Sequence, residues 1–378
     1  MERLPVQERP DWRHKMEEIG FSFHSQGGLY WDERACYAFS AEEIDLIEEV
    51  SEDLHRLCLK AVDYVIRKKL YARIGLPERF APLIERSWKR RDRSLYGRFD
   101  FSFHPPGNLK LLEYNADTPT SLIEASIAQW TWLEDRFPDR DQFNSIHEKL
   151  LKAFQQFREE LPIETPFYFS CVREDEEDRV NLEYLRDVAL QAGLDARFIY
   201  IEDLGLSEQT GRFYDLEDKE ILYLFKLYPW EWMIQEEFGE KLLGDSLRLI
   251  EPPWKMILSS KGILPVLWDL APSHPNLLPS YFHPEPLKGP YVRKPFFSRE
   301  GTNVSLFNQW GPVMETEGPY GEEGFIYQKA QELPCFDGQY AVIGSWIING
   351  QAAGMGIRED ETPITRDTSR FVPHYFNP

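Results

Sequence analysis

Two alternating runs, residues 96–104 and 109–115, flank Pro105-Pro106-Gly107-Asn108, and this segment constrains the chain more than any other. Pro, Gly and Asn in succession are turn chemistry. With those four residues as the loop, His104 stands opposite Leu109. Counting back along both strands sets Asp100 opposite Glu113 and Arg98 opposite Asn115. Side chains on a strand repeat with period two, and cross-strand neighbours share a face. Arg98, Asp100, Glu113 and Asn115 are therefore expected to crowd one face, with Phe99, Phe101, Phe103, Leu112 and Tyr114 on the other. Two opposed carboxylates repel, a penalty to set against cross-strand terms of roughly 0.2–1 kcal/mol. A bound cation turns the penalty into a site. Asp100, Glu113 and Asn115 supply hard oxygen ligands, and Mg²⁺ is typically held by one or two carboxylates together with nucleotide phosphates. A surface carboxylate pair bridged by Arg98 is the competing reading, and a one-residue slip of register would separate Asp100 from Glu113.

The chain has 378 residues, enough for two or three packed lobes. The pattern divides it into 1–164, a helical region plus the hairpin; 165–240, an α/β lobe; and 241–378, a strand-rich remainder. With 43 Lys+Arg against 64 Asp+Glu the net charge is −21. That sign argues against nucleic acid as a partner and suits cationic small molecules such as polyamines, or simply keeps the chain in solution. The first residues lack an apolar core of the signal-peptide kind, and no run approaches the roughly 20 apolar residues of a membrane span. Cys36, Cys58, Cys171 and Cys335 match no metal spacing and read as reduced thiols. The expected compartment is the cytoplasm, with no membrane association; the oligomeric state is not legible.

Residues 41–69 repeat apolar positions at helical spacing behind Ser40, a candidate N-cap. Between 165 and 232 a strand at 167–171, a helix at 180–192 closed by Gly193, and strands at 197–201 and 220–225 suggest partly parallel sheet. No GxGxxG follows the first strand, so the dinucleotide fingerprint is missing. Beyond Tyr291 strands dominate, and Asn349-Gly350 suits a type I′ hairpin turn.

Lys261 is a lone lysine in an apolar stretch, a setting in which lysines more often snorkel than act. Lys294 ends a strand ahead of Ser298, Arg299, Gly301, Thr302 and Asn303. Strand, glycine-bearing loop and strand suit a phosphate cover, with backbone N–H groups near the glycine and Arg299 adding charge. Arg358 follows Gly354 and Gly356, which permit close approach of a ligand to backbone. His374 reads better as a packed, hydrogen-bonded residue than as a base.

These strings in order, RFDFSF…LLEYNADTPTSLIE, KGILPVLW, YVRKPFFSREGTNV, IGSWIINGQAAGMGIRED and ITRDTSRFVPHYF, resemble the glutathionylspermidine synthase family. The likeness is narrower to its short, stand-alone acid–amine ligase members and runs essentially the whole chain. It implies an α+β fold, an ATP-grasp synthetase with a Rossmann-like pre-ATP-grasp lobe. It further implies an ATP-dependent ligase that forms an amide from a peptide-like acid and an amine through an acyl phosphate, with ATP and Mg²⁺ as cofactors. By matching position, Asp100, Glu113 and Asn115 hold Mg²⁺; Lys261 and Lys294 contact ATP; residues 298–303 form the lid; and Gln328 lies in the hinge strand near adenine. Arg98, Arg299 and Arg358 steady the carboxylate and the transferring phosphoryl group. Phosphoryl transfer needs positioning and charge neutralisation rather than a protein nucleophile, so the lack of a Ser-His-Asp or Cys-His set is expected. Thr118 and Thr120 stand where the bifunctional members carry serines, near the thiol-peptide site, and the acid and the amine are left unspecified. No amidase half-reaction is expected. A small-molecule kinase and an inactive nucleotide-binding regulator are the alternatives.

Overall fold

The computed structural model describes residues 1–25, 27–299, 301–366 and 369–377. Glu300, in the expected lid, and Asp367 and Thr368, in the last matched string, lie outside the described residues. Among those described, helix and sheet are mixed, and three sheets matter for the site.

The hairpin of Tyr96–His104 and Asn108–Asn115 joins a second, Gln339–Ile348 with Gln351–Asp360, in one antiparallel sheet. Asn349 and Gly350 both have positive φ, +48° and +79°, as the type I′ turn requires. The sheet is held from behind by helix Ala41–Lys68. Its apolar positions, Ile44, Ile47, Leu54, Cys58, Val62 and Val65 among them, recur every three or four residues and are buried. Ser40 and Glu43 close a reciprocal capping box at its start. Phe99, Phe101, Phe103, Leu109 and Leu111 pack beneath the sheet.

The expected hairpin pairing is present, but by a different route. His104 pairs with Asn108, so Pro105-Pro106-Gly107 alone form the turn. A bulge opposite the Asp100–Phe101 step restores the register, with Phe101 opposite Leu111 and Asp100 opposite Glu113. Leu112 is the extra residue. It turns into the cavity described below instead of joining Phe99 and Tyr114, because a bulge leaves its extra residue outside the strict alternation.

A second antiparallel sheet, in the order Ser280–Tyr281, Phe325–Lys329, Tyr291–Pro295, Ser305–Asn308 and Gly311–Glu315, carries Gln328 and Lys294. The third is wholly parallel: Arg248–Ile250, Tyr223–Leu227, Phe167–Cys171 and Ala196–Phe198. Its helix starts earlier than expected, at Glu176, because Asp175 accepts from the Asp178 N–H and caps a charged first turn. The strands expected at 197–201 and 220–225 are Ala196–Phe198 and Tyr223–Leu227. No helix among the described residues is long and apolar enough to cross a membrane.

Candidate active site

A cavity of about 430 Å³ opens where the three sheets meet. Of the residues singled out by sequence, Arg98, Asp100, Glu113, Asn115, Thr118, Thr120, Lys294, Arg299, Gly301, Gln328 and Arg358 line it. Lys261 and Ser298 do not. Lys261 lies just behind the wall, donating to the Ser298 carbonyl at 2.7 Å, with Nζ 3.5 Å from Glu113.

The charged floor is built from the hairpin face. Arg98 Nε donates to Asp100 Oδ1 at 2.7 Å and its Nη1 to the Thr120 carbonyl at 2.7 Å. Arg358 Nη2 reaches Asp100 Oδ2 at 2.7 Å, and Asn115 Nδ2 donates to the same oxygen at 3.2 Å. Asp100 is thus held by two arginines and an amide, while the Asn115 carbonyl oxygen is left free of that contact. Glu113 faces Lys261 instead. Burial pushes its carboxyl up, but Lys261, Lys294, Arg358 and Arg98 outweigh burial and hold it at about 2. Burial lowers Lys294 to about 8 against the pull of Glu113, with Lys261 adding to the depression; its ammonium donates to the Leu112 carbonyl at 2.9 Å. Burial and neighbouring Arg98 lower Arg358 as well.

Four cations therefore surround two carboxylates. A bare divalent ion gains little there, and no group of three or more His, Cys, Asp or Glu capable of holding a metal exists among the described residues. The donor chemistry of Glu113, Asn115 Oδ1 and Asp100 fits a hard cation that arrives on a polyanion, whose charge the surplus of lysine and arginine balances. Away from the floor, Leu112, Leu278, Val292, Leu306, Leu333 and Val342 form an apolar slot closed by Gln328, which is buried and donates to the Leu111 carbonyl at 3.4 Å.

The opposite wall comes from the parallel lobe: Val172, Asp175, Asp178, Tyr228 and Trp232. Several residues here were given no individual role from sequence, although the resemblance sets the stretch Tyr228-Pro229-Trp230-Glu231 near the thiol-peptide site. Glu231 binds Arg299, and Asp117 pairs with the fully buried Lys226 at 2.6 Å while accepting the Trp230 N–H at 2.8 Å. Glu124 follows Thr118 and Thr120 in a π-helical turn, Glu124–Ala128. It is fully buried and accepts from the Tyr30 hydroxyl at 2.8 Å; burial and Glu177 raise its carboxyl to about 8. A lone Glu amid Leu122, Ile123 and Ala125 was the available signal for it. His374 is buried, its Nδ1 paired with Gln129 Oε1 at 2.8 Å, and it lines no part of the cavity.

Residues 3–377 match the family described as glutathionylspermidine synthase preATP-grasp. The chain belongs to the glutathionylspermidine synthase family. A Haemophilus influenzae protein provisionally named an acid–amine ligase is 43% identical over 98% of both chains. The bifunctional glutathionylspermidine synthetase/amidase of Escherichia coli is 29% identical over 88% of this chain and 58% of its own length. The trypanothione synthetase of Crithidia fasciculata is likewise 29% identical, over 84% of this chain and 53% of its own. In fold, a glutathione synthetase-like effector of Globodera pallida superposes over 98% of both chains with a TM-score of 0.60 at 11% identity. The family's enzymes are ATP-dependent ligases that form C–N bonds, and this chain is an acid–amine ligase of that family; neither the kinase nor the regulator reading is favoured.

Proposed function

We propose that the cavity joins a peptide-like carboxylic acid to an amine, with Mg²⁺-ATP as phosphoryl donor. The convergence of Arg358, Lys261 and Lys294, from segments remote in sequence, on Arg98, Asp100 and Glu113 of the hairpin is the observation that carries the reading. The apolar slot with Gln328 suits a purine, which sets the phosphates toward Lys294 and the lid. Glu113, Asn115 and Asp100 would hold Mg²⁺, which when bound neutralises phosphate charge.

The acid lies toward Thr118 and Thr120, its carboxylate steadied by Arg98 and Arg358. A carboxylate oxygen attacks the γ-phosphorus and the bond to the bridging oxygen breaks, giving ADP and an acyl phosphate. Arg299 and Lys294 take up charge on the equatorial oxygens. The amine nitrogen then attacks the acyl carbon, phosphate leaves with the electron pair, and the amine proton passes to phosphate or water. A polyamine suits the amine place, since the carboxylates Asp175 and Asp178 stand on the far wall. ADP and phosphate release is the test, with peptides and other acids screened against polyamines and amino acids. Turnover should require one acid and one amine together and be lost in Glu113→Ala and Lys294→Ala. ATP turnover indifferent to every acid and amine offered would sink the reading.

A further inference from the structure

Arg299, the lid cation in the reading above, is not fixed by its own segment. It stands on the connection between strands Tyr291–Pro295 and Ser305–Asn308, yet its guanidinium crosses to the parallel lobe. There Nη1 and Nη2 both donate to a single oxygen, Glu231 Oε1, at 2.9 and 2.8 Å. The guanidinium carbon also lies 5.2 Å from the centroid of the Trp232 ring. These are its only polar and ring partners among the described residues. Two of its five N–H groups are thereby engaged, which leaves others for an anion.

The two partners occupy different layers. Arg299 and Trp232 line the cavity, whereas Glu231 is only 7% exposed and lies behind them. Glu231 has a fixed mount. Asp117, two residues beyond the hairpin, accepts the Trp230 N–H and binds Lys226, and Lys226 also donates to the Tyr228 carbonyl at 2.9 Å. The lid has a second seat at Gly301, whose lack of a Cβ lets it lie against the Thr365 carbonyl and whose φ of +66° suits glycine.

We infer that Glu231 is a positioning residue: it holds the Arg299 guanidinium at the cavity wall from the lobe opposite the lid, so that the lid and the parallel-lobe wall are set by one contact. The assignment rests on the ligase reading for its effect on rate, but its structural half does not. A carboxylate behind a guanidinium fixes the fork in direction as well as place, and a neutral amide or a shortened carboxylate does so less well.

The experiment compares wild type with Glu231→Gln, Glu231→Asp, Arg299→Ala and the double Glu231→Gln/Arg299→Ala. Hydrogen–deuterium exchange of unliganded protein is followed for peptides spanning 296–304 and, as a fold control, 96–115. Glu231→Gln should speed exchange of the lid peptides and leave the hairpin unchanged, with Glu231→Asp between the two. Where turnover is established, Glu231→Gln should lower kcat by about 10- to 100-fold with a smaller change in KM for ATP. In the Arg299→Ala background the same change should have no further effect. Unchanged lid exchange, or a rate loss that persists in full without Arg299, overturns the inference. Should Glu231→Gln fail to fold, Arg299→Lys supplies the same comparison, since an ammonium keeps the charge without the two-pronged contact. A wild type that turns over no acid–amine pair defeats the ligase reading, and lid exchange still decides the role of Glu231.

Discussion

Arg98 lies flat across its sheet because position 344 has no side chain. Gly344 pairs with Asp100 on one side and Gly356 on the other, and a Cβ there would stand 2.8 Å from Arg98 Cδ. The arginine is pinned at its far end by Asp100 and Thr120, so it cannot yield without giving up those bonds. Gly344→Ala should therefore act on the site more than on the fold. We expect kcat/KM to fall by about 10- to 100-fold, through displacement of a charge-positioning group, with stability down by about 1–3 kcal/mol from overpacking. Parallel kinetics and urea unfolding check this, and a variant with full activity would show that Arg98 need not sit there. Single residues divide sharply in how far sequence reveals them. Arg98, Asp100, Glu113 and Asn115 were readable because a strand's period places them on one face whatever lies above it. Glu231, Asp117 and Lys226 were not, since their roles arise from contacts between segments that no local periodicity brings together. Leu112 was misplaced because a bulge breaks the alternation without leaving a Gly to mark it.

Between elements, the critical joint is the end of strand Asn108–Asn115 against the parallel sheet. Asp117 and Lys226 form an ion pair with side chains 2% and 0% exposed. Asp117 also takes the Trp230 N–H, and the Lys226 ammonium lies 4.7 Å from the Trp230 ring. Burial lowers the Lys226 pKa against the pull of Asp117, so the charge is held there at a cost and depends on its partner. Removing one partner of a buried pair costs about 3–5 kcal/mol, whereas replacing both by apolar groups can be nearly neutral. Asp117→Ala should destabilise by about that amount, and Asp117→Leu with Lys226→Met should cost less than Asp117→Ala alone. Urea unfolding of the variants decides it; a double variant worse than the single one would mean that apolar groups do not pack in place of the ion pair, since both variants lose the Trp230 N–H contact alike. Elements were legible in proportion to their local signals. Helix Ala41–Lys68 declared itself by apolar spacing and a capping box. The helix of the parallel lobe was placed late because its first turn is charged, and strand Arg248–Ile250 is too short to show alternation.

At the scale of the whole molecule, net charge and the buried titratable groups work on different things. The charge of −21 is spread over the chain, while the cavity gathers a surplus of cations. Stability against pH near neutrality is governed instead by four groups inside, His55, His374, Glu124 and Lys294. Burial lowers His55, adjoining Lys255 and Arg56, to about 3, and burial lowers His374 to about 3. Below an ordinary histidine pKa of 6.5 the unfolded chain takes two protons that the folded one refuses, so stability falls as pH drops from 6.5 toward 3. Glu124 acts in the opposite sense. Its carboxyl is raised to about 8, so between pH 8 and the ordinary value of about 4.5 the folded state holds a proton that the unfolded state has lost, and stability falls as pH rises through 8. Below 6.5 two protons oppose one and the acid side loses. Above 6.5 Glu124 makes stability fall, until near pH 8 Lys294, lowered to about 8, gives up a proton that the unfolded chain keeps and offsets it, so that the curve levels there. Glu113, held at about 2, enters only below about 4.5. The stability maximum is therefore expected near pH 6.5, with about 0.5–1 kcal/mol lost one unit to the acid side and less to the alkaline side. Glu124→Gln removes the opposing proton. Its stability should no longer fall above pH 6.5 but rise gently toward pH 8 as Lys294 releases its proton in the folded state, and it should fall on the acid side with the slope of two protons per molecule instead of one. Urea midpoints of both proteins at half-unit steps from pH 5 to 8 read these slopes directly. A wild-type curve that keeps rising to pH 8 would show that Glu124 is ionised in the folded protein, and that its buried oxygen has found a donor other than its own proton.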